Sequence, residues 1–354
     1  MKLTDVVDRI NGNVDRFTTE LEYYIGGEHF ESNELEVTQK GLLKENLGKL
    51  GFKFHFAFQD RDVVFMARNP HLRKAGMVRF AGLCSDASYI LRSKDETVLS
   101  QEYLAVMLQS DHFWDYCESH KVGSVNFANN WSSIANYEFE LPTPEEQKEI
   151  SDKVWAAYRL KKSYKKLLAA TEEMVKSQFI EMFGDPVSWQ TDTSLPTLND
   201  TVNVISGFPF DSEKFDTEGV GTPLIRIRDI QRGYSETFTT EVFDEQYRIK
   251  KYELLVGMDG MFDIARWQSD EAALNQRVCC LRMKGSENDT FIQYLVQPIL
   301  KHIENGTNAT TVKHISTKQI NGIRVPIASH EQKNKFAMIA NQADKSGFRT
   351  QQIH

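Results

Sequence analysis

The chain has 354 residues, 40% of them hydrophobic and 26% charged, enough for two or three domains with cores of their own and too apolar for a disordered chain. Lys and Arg number 42 against 50 Asp and Glu, a net charge of -8, which argues against coating nucleic acid through bulk charge but leaves room for a local basic cleft. Four cysteines, Cys84, Cys117, Cys279 and Cys280, show no CxxC and no zinc-type spacing, as expected of free buried thiols in a reducing compartment. The polar N-terminus, and the lack of any apolar run near ~18 residues, point to a soluble cytoplasmic protein with no membrane partner.

In chain order, residues 63–66 and 88–91 read as short apolar strands and 101–113 as an amphipathic helix. A long helix should open after Pro142, with Thr143 as N-cap, Pro144 as first helical residue and Glu146 as capping-box partner. Its apolar stripe passes through Ile150, Val154, Ala157, Tyr164, Leu168, Val175 and Met182, with Lys161, Thr171 and Gln178 on the same line. That is the pattern of a seam pairing with one specific helix. Gly184 and Asp185-Pro186 close it, leaving a rod of about 41 residues and ~60 Å. Further on, residues 224–228 alternate with period two, placing Arg226 and Arg228 on an outer face and Ile225 and Ile227 on the core. Residues 254–256 and 278–281 read as buried strands, and 291–303 as helix despite Pro298.

The helix-opening pattern recurs at Pro326, Ser329, Glu331 and Gln332, ahead of a terminal helix carrying Phe336 and Ile339 and meeting Gly347 early. Glu146-Gln147 returns as Glu331-Gln332, Glu102-Tyr103-Leu104 as Gln293-Tyr294-Leu295, and Gly123-Ser124 as Gly306-Thr307. Their common order marks an internal repeat. The expected fold is α+β: two β-rich domains, 1–142 and 185–327, separated by a spacer helix at 143–184. That helix forms an antiparallel coiled coil with a shorter one at 328–354, and the whole is a pseudo-two-fold repeat.

Five basic residues, Arg61, Arg68, Arg73, Lys74 and Arg79, fall within 61–79 against Asp62 alone. With Asn69-Pro70 as a turn, 66–74 reads as an exposed loop, either solvated or facing a polyanion. Arg226, Arg228, Arg232, Arg266, Asn275, Arg277 and Lys313 carry the donors that base edges and phosphates need, and Asn126 stands in the matching place of the first half. Plainer readings compete: arginines on a solvated strand face, Trp267 anchoring its loop in the core, Asn275 satisfying backbone at a strand start. A glycine-rich cofactor loop, an Asp/Asn-Pro-Pro-aromatic clamp and a GxxxxGK phosphate loop are all missing from the sequence. No catalytic residue, metal site or cofactor is therefore expected on this chain.

The chain resembles the specificity subunits of type I restriction-modification systems. The resemblance rests on LPTPEEQKEI at 141–150 and MFGDP at 182–186, on SGFPFDSEKF at 206–215, PLIRIRDI at 223–230 and ALNQRV at 273–278, in that order. It implies two target-recognition domains, each reading one half of a split, asymmetric site in double-stranded DNA, with the helices as a ruler between half-sites. It also implies a non-catalytic subunit that docks two modification subunits and, in the full complex, two restriction/translocase subunits, in a bacterial or archaeal cytoplasm. S-adenosylmethionine, ATP and Mg would belong to those partners. The first domain departs from the pattern, with Ile25-Gly26-Gly27-Glu28-His29-Phe30 in place of a GFPF-type segment. Alternatives are a protein-interaction scaffold, favoured by the acidic total; a single-chain methyltransferase with a degenerate cofactor site; and a truncated or exchangeable specificity subunit, favoured by the short terminal helix.

Overall fold

The computed structural model describes residues 1–124, 127–306 and 313–351, with side chains to Ala343 in the last stretch. The chain divides into two compact units, Met1–Ser163 and Tyr164–His354, and the division falls inside one uninterrupted helix, Pro144–Phe183.

In the first unit a five-stranded sheet runs in the order Val7–Ile10, Ser88–Ser93, Val63–Met66, Ala75–Val78, Glu36–Val37. A four-stranded sheet runs Gly41–Leu42, Tyr23–Ile25, Gly82–Ser85, Phe54–Phe58. Strand Val63–Met66 shows why two layers form. Side chains alternate between faces, so Val63 and Phe65 join Leu104, Phe113 and Trp114 on the helical side, while Val64 and Met66 join Ile25, Phe58 and Cys84 of the second sheet.

The second unit repeats this plan. Val202–Ser206, Val278–Met283, Leu254–Gly257 and Ile264–Arg266 form its four-stranded sheet. Phe215–Asp216, Phe238–Thr239, Thr222–Ile225, Ala272–Leu274 and Arg248–Ile249 form the five-stranded one. Cys279 faces the helices and Cys280 the other sheet; all four thiols are free and buried. Each unit places a short parallel pair at a matching point among antiparallel neighbours, Tyr24 and Ile25 beside Leu83 and Cys84, and Leu224 and Ile225 beside Ala273 and Leu274; the first unit has a second such pair, Glu36 and Val37 beside Met77 and Val78. Each also returns the segment ahead of its last helix to its own beginning, Leu3 N–H donating to Tyr137 O at 2.8 Å and Leu198 N–H to Ile323 O at 2.7 Å. The repeat is therefore one of topology as well as of motif.

Helix Pro144–Phe183 opens on a capping box: Thr143 Oγ1 accepts from Glu146 N–H at 3.3 Å, and the Glu146 carboxylate accepts from Thr143 N–H at 2.8 Å. It ends at Gly184, whose φ of +87° suits glycine. Ser329 and Gln332 build the same box ahead of helix His330–Gln351, so Gln332, rather than Glu331, is the counterpart of Glu146.

Other expectations are corrected. The helix read over 101–113 is two, Gln101–Met107 and Asp111–Ser119, because Ser110 Oγ accepts from Phe113 N–H at 3.2 Å and caps a new start. The helix expected over 291–303 is present as expected, passing through Pro298, with ends at Asp289 and Gly306. In the long helix Ile150, Val154, Ala157 and Tyr164 are exposed; the buried face of its first half is Gln147, Ser151, Trp155 and Tyr158. Trp155 and Tyr158 close the first unit's core, and their aromatic area outweighs the aliphatic stripe. Gln147 ties down the neighbouring loop, donating to Val98 O at 2.8 Å and accepting from Ser100 N–H at 3.0 Å. Farther along, Leu168 and Met182 are half-buried, and Val175 is buried together with Phe179, which packs on Phe336 at 5.1 Å. Ile339 is half-buried.

Candidate nucleic-acid interface

Three segments of the second unit meet at the end of its parallel pair. The run 224–228 is not one strand. Leu224 and Ile225 are both buried, on opposite sides of the sheet, and the chain then turns at Arg226. The turn is fixed by Asp229, 1% exposed, whose carboxylate accepts from Arg226 N–H at 2.9 Å and from Ser235 Oγ at 3.2 Å. Beside it, strand Ala272–Leu274 ends at Asn275, whose Oδ1 accepts from Gln276 N–H at 2.7 Å. The third segment is Gly207-Phe208, where Phe208 N–H donates to Leu274 O at 2.8 Å. A Cβ on Gly207 would lie 2.0 Å from Asn275 O, so this approach admits only glycine.

Together they enclose a cleft of about 490 Å³ lined by Phe210, Ser212, Arg226, Arg228, Asn275 and Arg277 among others, none of them acidic. Arg226, Arg228 and Arg277 are exposed. Arg228 donates to Thr237 Oγ1 at 3.2 Å, and Arg277 Nε lies 3.2 Å from Asp259. The Arg226 guanidinium makes no hydrogen bond or ion pair among the described residues. Such a set can hold phosphates and address base edges.

The remaining expected residues of this unit lie elsewhere. Arg232 pairs with Glu236 at 3.1 Å on a different cleft. Arg266 is committed to Asp289 and to Thr290 Oγ1 at 3.0 Å. Burial pushes the Asp289 carboxyl up, but the Arg266 hydrogen bond and charge outweigh that and hold it below its ordinary range. Trp267 is fully buried and donates to Asp270 O at 2.7 Å, which anchors that loop in the core. Lys313 Nζ donates to Glu304 O at 2.6 Å, and 307–312 lie outside the described residues.

In the first unit the stretch expected as an exposed loop, 66–74, is a connection from 67 on, but a largely covered one, with Arg68 and His71 its exposed residues. Residues 63–66 and 75–78 are buried strands, joined through a single turn at Pro70–Leu72. Four of the five charges are engaged within the unit. Arg61 pairs with Glu96 at 2.7 Å and Glu102 at 3.0 Å, and its hydrogen bonds to them raise its pKa. Arg73 pairs with Asp111 at 2.5 Å, Lys74 donates to Gly27 O at 2.7 Å, and Arg79 pairs with Glu36 at 3.3 Å and lies over Trp155. Arg68 is exposed, with no ion pair among the described residues; Asn126 lies outside them. At the corner equivalent to the arginine cleft stand Gly26-Gly27-Glu28 and Ser85-Asp86-Ala87, with no arginine. The supporting carboxylates Asp229 and Asp259 were not found from sequence; no local pattern distinguishes them from other acidic residues.

Among the described residues no cluster of three His, Cys, Asp or Glu could hold a metal ion, and no helix is long and apolar enough to cross a membrane.

Both units thus carry two sheets with a helical face, and the second adds a donor-lined cleft without carboxylates. Residues 192–352, all in the second unit, match the family model of the type I restriction modification DNA specificity domain. Over 162 residues, 44% of this chain, the sequence is 33% identical to the type I restriction enzyme EcoBI specificity subunit of Escherichia coli; the match covers 34% of that protein, about a third of its length. The fold is similar to that of the type I restriction-modification system S subunit from M. genitalium, with a TM-score of 0.57, 14% identity, and coverage of 99% of this chain and 90% of that one. It is also similar to a chain from a structural study of complex assembly and conformational transition of the type I R-M system, with a TM-score of 0.50, 16% identity, and coverage of 100% and 92%.

Proposed function

We propose that the chain is the DNA-reading specificity subunit of a type I restriction-modification complex, non-catalytic itself, and that its second unit grips one half of a split target through the cleft at Arg226, Arg228, Asn275 and Arg277. The observation that carries this reading is the convergence of these four donor side chains from separated segments, in a chain of net charge -8. They lie inside the stretch that matches a DNA specificity domain. Phosphate contacts orient a protein on the duplex and base contacts discriminate. Arg226 and Arg228, which flank the mouth on a turn, supply the former. On this reading the partners are double-stranded DNA, two modification subunits and two restriction subunits in a bacterial or archaeal cytoplasm. S-adenosylmethionine, ATP and Mg are held by those subunits.

The test is anisotropy of the full-length chain with its modification subunit on a duplex selected from a randomised pool. Removing two phosphate contacts with R226A/R228A lowers the slope of log K against log salt by about 1.8, so the affinity lost between about 50 and 200 mM salt shrinks about twelvefold. An unchanged slope, or no duplex selected at all, refutes the reading.

A further inference from the structure

Behind the cleft three backbone segments lie side by side. Met258 N–H donates to Arg277 O at 3.0 Å, Ile315 N–H to Met258 O at 2.9 Å, and Gly260 N–H to Lys313 O at 2.8 Å. Asp259 thus stands between Arg277 and His314, and its carboxylate engages both: Oδ2 lies 3.2 Å from Arg277 Nε and Oδ1 2.5 Å from His314 Nδ1. The carboxylate is largely covered while the arginine is exposed, and neither Nη of Arg277 donates a hydrogen bond among the described residues.

The first unit builds the same platform. Ala67 N–H donates to Ala87 O at 2.9 Å, Asn129 N–H to Ala67 O at 2.9 Å, and Asn69 N–H to Phe127 O at 2.8 Å. The isolated antiparallel pair of Arg68 with Ala128 matches that of Asp259 with His314. Here the middle segment supplies the arginine. Arg68 is exposed between two alanine-bearing segments, whereas in the second unit the arginine comes from a flanking segment. Both units therefore present one guanidinium on the same three-segment platform, from different strands.

We propose that these platforms are base-reading points, with Arg277 and Arg68 each addressing a guanine, and with Asp259, steadied by His314, as a positioning residue for Arg277. A guanidinium held at Nε keeps its two Nη groups in plane and free, the spacing that guanine O6 and N7 accept together. A phosphate accepts a cation in many orientations and gains little from a covered carboxylate that a histidine steadies in turn. Ala87 and Ala128 give Arg68 no such support, so its base is read with less selectivity than that of Arg277.

The inference rests on the DNA-reading function above, and the experiment separates the two. The full-length chain with its modification subunit selects duplexes from a randomised pool, and the variants are compared position by position. R277A makes one position of one half-site degenerate, losing a preference for guanine of about 5- to 150-fold while the other half-site is kept. R68A does the same in the other half-site, by a smaller factor. D259N weakens the position that R277A abolishes, and R277M, which keeps the apolar stem but has no donor, loses the same preference, which covers the case of R277A failing to fold. If R277A and R68A instead lower affinity for all sequences alike and reduce the salt slope by about 0.9 each, both are phosphate contacts; the inference fails and the DNA-reading function stands. A D259N selection identical to wild type removes the positioning role. A wild-type chain that enriches no sequence overturns both.

Discussion

The second unit fastens its last helix through a buried ion pair that can be tested quantitatively. Lys333 Nζ donates to both carboxylate oxygens of Glu287 at 2.9 Å, with the side chains 8% and 6% exposed, and it also lies over the Phe291 ring. Substitution K333M keeps the stem and removes the charge, leaving a covered carboxylate whose other acceptor bond is to the neighbouring Asn288 N–H at 3.1 Å. Breaking one side of such a pair costs about 3–5 kcal/mol, whereas replacing both members by apolar side chains is near neutral or stabilising by about 1–4 kcal/mol. For a unit of this size each kcal/mol moves the melting temperature by about 2–4 °C. Scanning calorimetry should thus show the transition of the second unit lowered by about 6–20 °C in K333M and returned to wild type or above in K333M/E287L. A K333M transition within ~2 °C of wild type, or a double variant as unstable as the single, would refute the claim that desolvation dominates there.

Further expectations concern the turns and the titrating groups. D229A leaves Arg226 N–H without its acceptor, while Ser235 Oγ keeps Leu224 O at 2.7 Å; it should cost about 1–3 kcal/mol in a urea titration and weaken duplex binding in anisotropy. G207A must push its segment away from Asn275 O, and the duplex affinity of the full chain should fall with it while the first unit's thermal transition stays in place. Burial pushes the thiols of Cys84 and Cys279 up to about 12, so native labelling at about pH 8.5, the ordinary thiol pKa, should wait on unfolding. Because these folded values lie above the unfolded one, their contribution to stability is complete below about pH 8.5 and is lost as pH rises toward 12, a decline that alkaline melting curves would show. Asp289 runs the other way. Its depressed pKa stabilises the fold above the ordinary carboxylate range, near pH ~3.9, and that contribution is lost as pH falls through the depressed value. R266A should therefore raise the pH at which acid unfolding begins.

What could be read from sequence was what depends on neighbours in the chain. The long helix was legible because Thr143, Pro144 and Glu146 cap it locally and Gly184 ends it with a positive φ, and the same signs recur at Ser329 and Gln332. The repeat was legible through those signs, and the parallel pair in each unit gives it a structural basis. What depends on distant partners was not legible. The run from Arg61 to Arg79 looked unbalanced because its carboxylates, Glu36, Glu96, Glu102 and Asp111, lie well outside that window. Residues 224–228 alternate in type, yet Asp229 bends the chain after Ile225. The helix stripe was drawn through aliphatic residues, whereas the core of the first unit takes Trp155 and Tyr158. At the candidate site the arginines were found by type, but their grouping follows from the ends of strands that only the folded sheet brings together.

The connection from Asn275 to Val278 closes on itself, Val278 N–H donating to Asn275 O at 2.9 Å while Gly207 N–H donates to Val278 O at 3.0 Å. Its length is fixed by these bonds, but the side chains at 275, 276 and 277 point away from them into solvent or the cleft. On the proposed DNA-reading function, such a turn between two sheets behaves like a typewriter carriage with interchangeable type: single-codon changes can rewrite the letters recognised, whereas an inserted or deleted residue would unlatch the turn. New specificities should therefore arise here by substitution, and length variation should fall elsewhere.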